Sequence, residues 1–413
     1  MSTLDQIDLT DPEHYRHGFP HDLFTRLRAE APVWRHPDTP GADVLGGSFW
    51  VLSRHADVQA VSRDPLTFSS LDGPALLGST AERQNRMLVT MDPPDHVRIR
   101  RLISAGFTPR MTARLEEQAR EWAVAIVEGA LARGDVDFVS EVAYQLPMHM
   151  IADIMGIPVA DRPRIFELAA TVITAPDARL GGDASAARDA QLELYTYAHD
   201  LGAEKRRCPA DDVWTTLTTA AIEQPDGSST SLEELELDLF FLLLTLAGSE
   251  TTRSAITGGL VALLDHPDQL ARLASEPHLM TGAVDEIVRW TSPVAYFRRT
   301  VTTDTEVGGL DIPAGDRVTL WYPSANRDDA VFAEPHRFDI TRADSGHVAF
   351  GGGGLHYCLG ANLARREIRV MFEELLARTA AIEVTGDPEW SVQGLSNPIT
   401  LFCSRLPVRL TPR

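Results

Sequence analysis

HVAFGGGGLHYCLGANLARREI, residues His347–Ile368, decides the reading of this 413-residue chain. Gly351 to Gly354 precede Cys358, and Gly360 follows it. Glycines let a backbone pass through positive φ and lie close to a flat ligand. They also leave amide N–H groups free to point at an anionic sulfur. Periodicity predicts a helix from about Ala361 to Arg378, and a thiolate at the mouth of a helix gains from its dipole. The pattern suits a permanently ionised cysteine bonded to iron. Phe350 is placed to cover the sulfur, and His356 to donate to a carboxylate. The same letters also read as a glycine-rich turn whose cysteine packs as a small hydrophobe. A zinc site of His347, His356 and Cys358 lacks a fourth nearby ligand. A phosphate-cradling loop needs Lys then Ser or Thr after the glycines, and both are missing.

Working outward, LTLAGSETTRS (Leu244–Ser254) lies in a long helix expected to open on a Ser231–Glu234 capping box and run to about His266. Gly248, Glu250 and Thr251 are unfavourable inside an otherwise apolar helix, which points to function. The plainer reading is a kink with Thr251 bonding back to a carbonyl. DEIVRW places Glu286 and Arg289 at i and i+3 on a helix predicted over about Met280 to Trp290. In DPPDHVRIRRL, His96 and Arg100 are four apart and share a helical face. YFRRTV offers Arg298 and Arg299.

The rest of the chain sets limits. Lys plus Arg is 38 against 59 Asp plus Glu, a net charge of −21, so phosphate backbones are repelled and nucleic-acid binding is not expected. Three scattered cysteines form no disulfide framework and fit a reducing cytosol. The start, MSTLDQIDLTDPEHY, has no basic, apolar leader, and the greasy run Leu239–Gly248 is about half a membrane span. A cytoplasmic monomer with no membrane contact is expected. Helical periodicity dominates, a long loop is expected over Asp64–Thr90, and short strands cluster near Thr305–Trp321 and in the tail. No linker separates the parts, so residues 1–413 read as one mainly α domain with small sheets.

On these motifs the chain resembles the cytochrome P-450 family. Its haem loop reads Phe-x-x-Gly-x-His-x-Cys-x-Gly, and Gly354, His356, Cys358 and Gly360 stand in that register. Phe350 lies eight residues before Cys358, where seven is commoner, and a similar four-glycine form occurs in actinobacterial members acting on sterols and methyl-branched lipids. The resemblance implies the triangular-prism helical fold with one haem b, and Cys358 as proximal iron ligand. Ala247, Gly248, Glu250 and Thr251 match Ala-Gly-x-Glu/Asp-Thr. There Glu250 and Thr251 are the acid–alcohol pair that relays protons, with Thr252 in support. His96, Arg100, His356 and Arg299, with Arg298 as the other option, would meet the haem propionates. Glu286, Arg289 and Arg337, the last in EPHRFD (Glu334–Asp339), would form a buried structural triad.

The implied reaction is monooxygenation: one atom of O₂ enters a C–H bond and the other leaves as water. No flavin or nicotinamide fingerprint appears, so electrons are expected from a ferredoxin and its NAD(P)H-dependent reductase. Arg365, Arg366 and Arg369, with Arg101, are the expected docking patch. A haem–thiolate peroxygenase or isomerase, or a non-enzymatic haem sensor, are the alternatives; the intact Glu250–Thr251 pair and the small Ala247 and Gly248 argue against them. Expected pocket residues are Leu76, Leu77, Leu243, Leu244, Ala247, Val294, Ala295, Tyr296 and Leu395. Their apolar character favours a lipid, steroid or terpenoid substrate.

Overall fold

The computed structural model describes residues 4–78, 84–104, 106–107, 109–174, 183–223, 229–342, 346–392 and 401–413. Its organising element is the helix Glu234–Asp265, 32 residues and so about 48 Å long. From Leu237 to Leu263 buried residues occur on all its faces, as befits a helix in the core. Its start differs from the expected Ser231–Glu234 box. Ser231 pairs with Ala221 in a short hairpin, and Glu233 caps the helix instead, its N–H donating to Glu236 Oε2 at 2.9 Å. Pro267 ends the helix because the residue before a proline is held out of the helical region.

Helices Pro109–Arg133, Gln145–Met155, Ser185–Arg207, Met280–Thr291 and Ala361–Arg378 are the main partners of the long helix in the helical body, which shorter helices such as Arg162–Thr174 extend. Their apolar faces merge in one core that includes Phe241, Ile256, Leu260, Ile287 and Phe372. A five-stranded sheet flanks this body in the order Val33–Arg35, Trp50–Leu52, Arg317–Trp321, Tyr296–Val301 and Phe68–Ser69. The central pairing, Trp50–Leu52 with Arg317–Trp321, is parallel and the others are antiparallel. The expected Asp64–Thr90 loop contains that last short strand and a helical turn at Leu88–Thr90. Expected strands near Thr305–Trp321 form a hairpin, Thr305–Val307 with Leu310–Ile312, followed by the sheet strand.

Alternation along Tyr296–Val301 decides which side chains meet the helical body. Phe297 and Arg299 face a cavity between sheet and long helix. Tyr296 faces the opposite side and packs at a tilt against Trp321, with ring centroids 4.9 Å apart.

Glu286 and Arg289 form a bidentate pair, both contacts 2.7 Å, and are 1% and 0% exposed. Arg289 also donates to the carbonyls of Asn326, Pro335 and Arg337 at 2.7, 3.0 and 3.2 Å. The third member is Arg342, not Arg337. Arg342 Nε donates to Glu286 Oε2 at 3.1 Å, while the exposed Arg337 side chain turns to Glu334. The loop presents the carbonyl of Arg337 inward, so its side chain must point out. The turn closed by Arg342 N–H on the Asp339 carbonyl brings the later guanidinium back. The planar fork suits this post because one side chain satisfies a carboxylate and several carbonyls together.

Candidate functional site

The cysteine loop is tied by its backbone. Cys358 N–H donates to the Phe350 carbonyl at 2.9 Å, and Gly351 N–H to Val348 at 2.9 Å. The extra residue is taken up inside that turn, and Phe350 still reaches the cavity. Two glycines are required by contact with the helix His55–Arg63. At Gly354, φ is +74° and a Cβ would lie 2.5 Å from the Ser62 carbonyl oxygen; at Gly352 it would lie 2.6 Å from Ser62 Oγ. Arg365 lies 4.5 Å over the Phe350 ring. Cys358 is accessible through the cavity it opens onto and enclosed by protein on its other sides. Burial pushes its thiol up from the ordinary range, opposed by the Gly360 and Ala361 amides and by Arg100 and Arg365. His347 turns to Asp285 at 3.5 Å, and among the described residues no cluster of metal-ligating side chains forms, which removes the zinc reading.

Above the loop stand His96, Arg100, Arg299 and His356, all lining the cavity. The His96 and His356 rings are 4.3 Å apart. Both nitrogens of His96 and Nε2 of His356 are buried without a partner. Burial, with nearby Arg100 and Arg299, lowers His96 to about 4; burial, with Arg299 and His96, lowers His356 to about 2. Arg299 is held by the Arg298 carbonyl at 2.7 Å. Among the described residues neither Arg299 nor Arg100 has a carboxylate in salt-bridge range. Arg298 is not part of this group, being bound to Asp72 at 3.1 Å and to Thr300. Such a set of uncompensated bases calls for a dianionic ligand.

The long helix forms the opposite wall. Ala247, Gly248, Thr251 and Thr252 line the cavity. Thr251 Oγ1 donates to the Ala247 carbonyl at 2.9 Å, which leaves its oxygen lone pairs free for the cavity. Gly248 is needed for helix packing, since a Cβ would come 2.9 Å from Ile151. The Glu250 carboxylate does not line the cavity. It is buried against Arg253, with Tyr144 beside it; burial raises its pKa and Arg253 opposes the shift.

The remaining wall is apolar: Leu88, Val89, Phe240, Leu243, Leu244, Val294 and Phe297. Leu243, Leu244, Ala247 and Val294 stand where the sequence predicts. Leu76, Ala295 and Tyr296 are packed instead in a separate core around Trp321, with Leu77 against it. Strand alternation explains Tyr296, and two arginines explain the Leu76 segment: Arg298 and Arg317 both donate to the Leu76 carbonyl and draw it to the sheet. Leu395 lies outside the described residues. Phe240 was within reach of sequence reasoning, three and four residues before Leu243 and Leu244. Phe297 was too, two residues from Arg299. Leu88 and Val89 carried no such signal.

The sequence profile of the Cytochrome P-450 family matches residues 203–389. A steroid C26-monooxygenase of Rhodococcus jostii is 41% identical over 407 residues, covering 96% of this chain and 84% of that protein. The chain belongs to the cytochrome P-450 family. A methyl-branched lipid omega-hydroxylase of Mycobacterium tuberculosis is also 41% identical, covering 88% of this cytochrome P-450 and 86% of the relative. The solved structure of a Mycobacterium marinum cytochrome P-450 in complex with pseudoionone matches with a TM-score of 0.87 at 36% identity, covering 99% of each chain. The cofactor of this cytochrome P-450 is haem b, and the enzyme is a haem–thiolate monooxygenase hydroxylating C–H bonds of apolar substrates. The residues present fit that group: orphaned histidine nitrogens and arginines without acids line the cavity beside Cys358. Among the described residues no helix is long and apolar enough to cross a membrane.

Proposed function

We propose that this enzyme hydroxylates a steroid, methyl-branched lipid or terpenoid, with Cys358 as the proximal iron ligand and His96, Arg100, Arg299 and His356 holding the haem propionates. The observation carrying this reading is the division of one cavity: four bases without acids around a glycine-cradled cysteine, and an almost wholly apolar wall opposite. Haem b bound there supplies O₂ activation and C–H oxidation. The chain supplies the rest. Leu243, Leu244, Val294 and Phe297 exclude water and hold a greasy substrate against Thr251. Glu250, held off the cavity by Arg253, delivers protons from behind that wall, and Thr251 passes them on. Relatives named for steroid and methyl-branched lipid hydroxylation, and a pseudoionone complex in a similar structure, support the substrate class.

Electrons would come from a ferredoxin and its NAD(P)H-dependent reductase, docking on the face carrying Arg365, Arg366 and Arg369. These arginines are partly neutralised inside the protein: Arg365 binds Asp285 at 2.7 Å, and Arg366 and Arg369 share Glu116. The exposed Arg101 adds a cation on a nearby helix. A net charge of −21 supports a monomer, since copies repel one another.

The test is a ligand screen read by the haem spin state, using steroids, terpenoids including pseudoionone, and straight and branched fatty acids. Tight low-to-high-spin shifts from members of these sets are expected. Shifts confined to small polar aromatics would overturn the substrate class. Thr251→Ala is expected to bind the same ligands unchanged but to release more hydrogen peroxide per NAD(P)H; unchanged coupling would reduce Thr251 to a helix hydroxyl.

A further inference from the structure

The arginines offered to an electron donor are not free. Arg365, Arg366 and Arg369 stand in the second and third turns of the helix Ala361–Arg378, toward its positive end. The acids Glu373 and Glu374 stand toward its negative end, so this charge order runs against the helix dipole. A local rule broken on a partly exposed face points to function. Glu116, on the helix Pro109–Arg133, lies between Arg366 and Arg369 and takes both guanidinium groups, one on each carboxylate oxygen. Asp285 takes Arg365 at 2.7 Å. Each arginine of the patch is therefore held by an acid of the same chain. The side chains of Glu116, Arg366 and Arg369 are 28%, 35% and 30% exposed, so these pairs are open to water and weak. Surface hollows open on both sides of the Glu116–Arg366 pair, one beside Phe107 and Arg120, the other beside Val284 and Asn362. The patch also leads inward: Arg365 lies 4.5 Å over the Phe350 ring, and the Phe350 carbonyl accepts the Cys358 N–H.

We propose that Glu116 is an internal stand-in for the acidic surface of the electron donor: it holds Arg366 and Arg369 in the free enzyme and yields them to carboxylates of the docking iron–sulfur protein. The proposal rests on the reading that a ferredoxin docks on this face. Pairs this exposed break at little cost, so the exchange is open to any partner that presents carboxylates at the right spacing. Docking then swaps ion pairs instead of adding them. Affinity and its dependence on salt are both smaller than three free arginines would give. Such weakness suits the reaction. Monooxygenation needs two electrons and a ferredoxin carries one, so the donor must leave between deliveries. Internal pairs that re-form behind the departing partner speed its release.

The test measures reduction of the ferric holoenzyme by a reduced two-iron ferredoxin of acidic surface, one electron passing to the haem and carbon monoxide trapping the product. Kd is read from the rate against ferredoxin concentration, at several salt concentrations. Glu116→Gln frees Arg366 and Arg369. Its Kd should be about fivefold lower than that of wild type at low salt, the worth of two exposed pairs, and should rise more steeply as salt is added. Glu117→Gln removes the same charge from the next residue, which among the described residues holds no arginine, and should change Kd far less. Equal effects from the two variants, or an unchanged Kd in Glu116→Gln, would overturn the stand-in. If Glu116→Gln loads no haem, Glu116→Asp decides. It keeps the charge but draws the carboxylate back by one methylene; tighter docking is expected, and an unchanged Kd counts against the proposal. Arg366→Gln separates the two readings. Slower reduction there, with Glu116→Gln like wild type, removes only the stand-in; unchanged reduction there removes the docking face and the stand-in with it.

Discussion

The two sides of the cavity are built from different materials. The Cys358 side is made mostly of backbone: one continuous segment, closed by Cys358 N–H on Phe350, pressed by Gly352 and Gly354 against the helix His55–Arg63. The opposite side is made of side chains drawn from the long helix, the turn at Leu88–Thr90, and the strand carrying Phe297. A backbone site tolerates almost no change, because its geometry depends on particular φ values and on the absence of Cβ atoms. A side-chain wall tolerates exchange of one apolar group for another. The first therefore sets the class of chemistry, and the second sets which substrate receives it.

The largest expected effect lies beneath the loop. Glu286→Ala leaves Arg289 and Arg342 facing no carboxylate in a dry core, at a cost of about 3–5 kcal/mol. The expected outcome, checked by haem content and thermal melting, is insoluble or haem-free protein. Arg342→Ala should be harmful in the same way, whereas Arg337→Ala should stay within about 0.5 kcal/mol of wild type. The reverse ranking would break the assignment of Arg342 to the triad.

Gly354→Ala comes next. It combines a φ of +74° with a Cβ 2.5 Å from a backbone oxygen. Such strain costs about 1–3 kcal/mol, and the haem:protein ratio should drop although no side chain is removed. Full haem loading would show that the loop yields more than the comparison allows. On the opposite wall, Leu244→Val removes one methylene, worth about 0.8 kcal/mol. Spin-state titrations should show ligand affinity changed about fourfold with haem content and melting unmoved. A loss of haem here would erase the distinction between the two sides.

The same contrast explains what was legible in the sequence. Cys358, His356, Gly354 and Gly360 lie in one short stretch, so spacing alone assembles them. His96 and Arg100 share a helical face and could be paired from their four-residue interval. Glu286 and Arg289 were legible for the same reason. Arg337 was not, because which arginine of a turning loop points inward depends on the turn at Asp339–Arg342. Tyr296 and Phe297 differ by a single strand position, and only the sheet pairing tells which faces the cavity. The Leu76 segment was misplaced because its carbonyl is drawn toward Arg298 and Arg317, a long-range contact no local pattern encodes. The helix start was misread by two residues, where Ser231 is engaged in a hairpin.

The central claim is that Cys358, held by its glycine loop, is the proximal ligand of haem b. The most direct measurement is the reduced carbon-monoxide difference spectrum of wild type beside Cys358→His. The account predicts a thiolate-type Soret band in the wild type and its loss in the variant, even where some haem is retained. A thiolate-type band surviving unchanged in Cys358→His would contradict it.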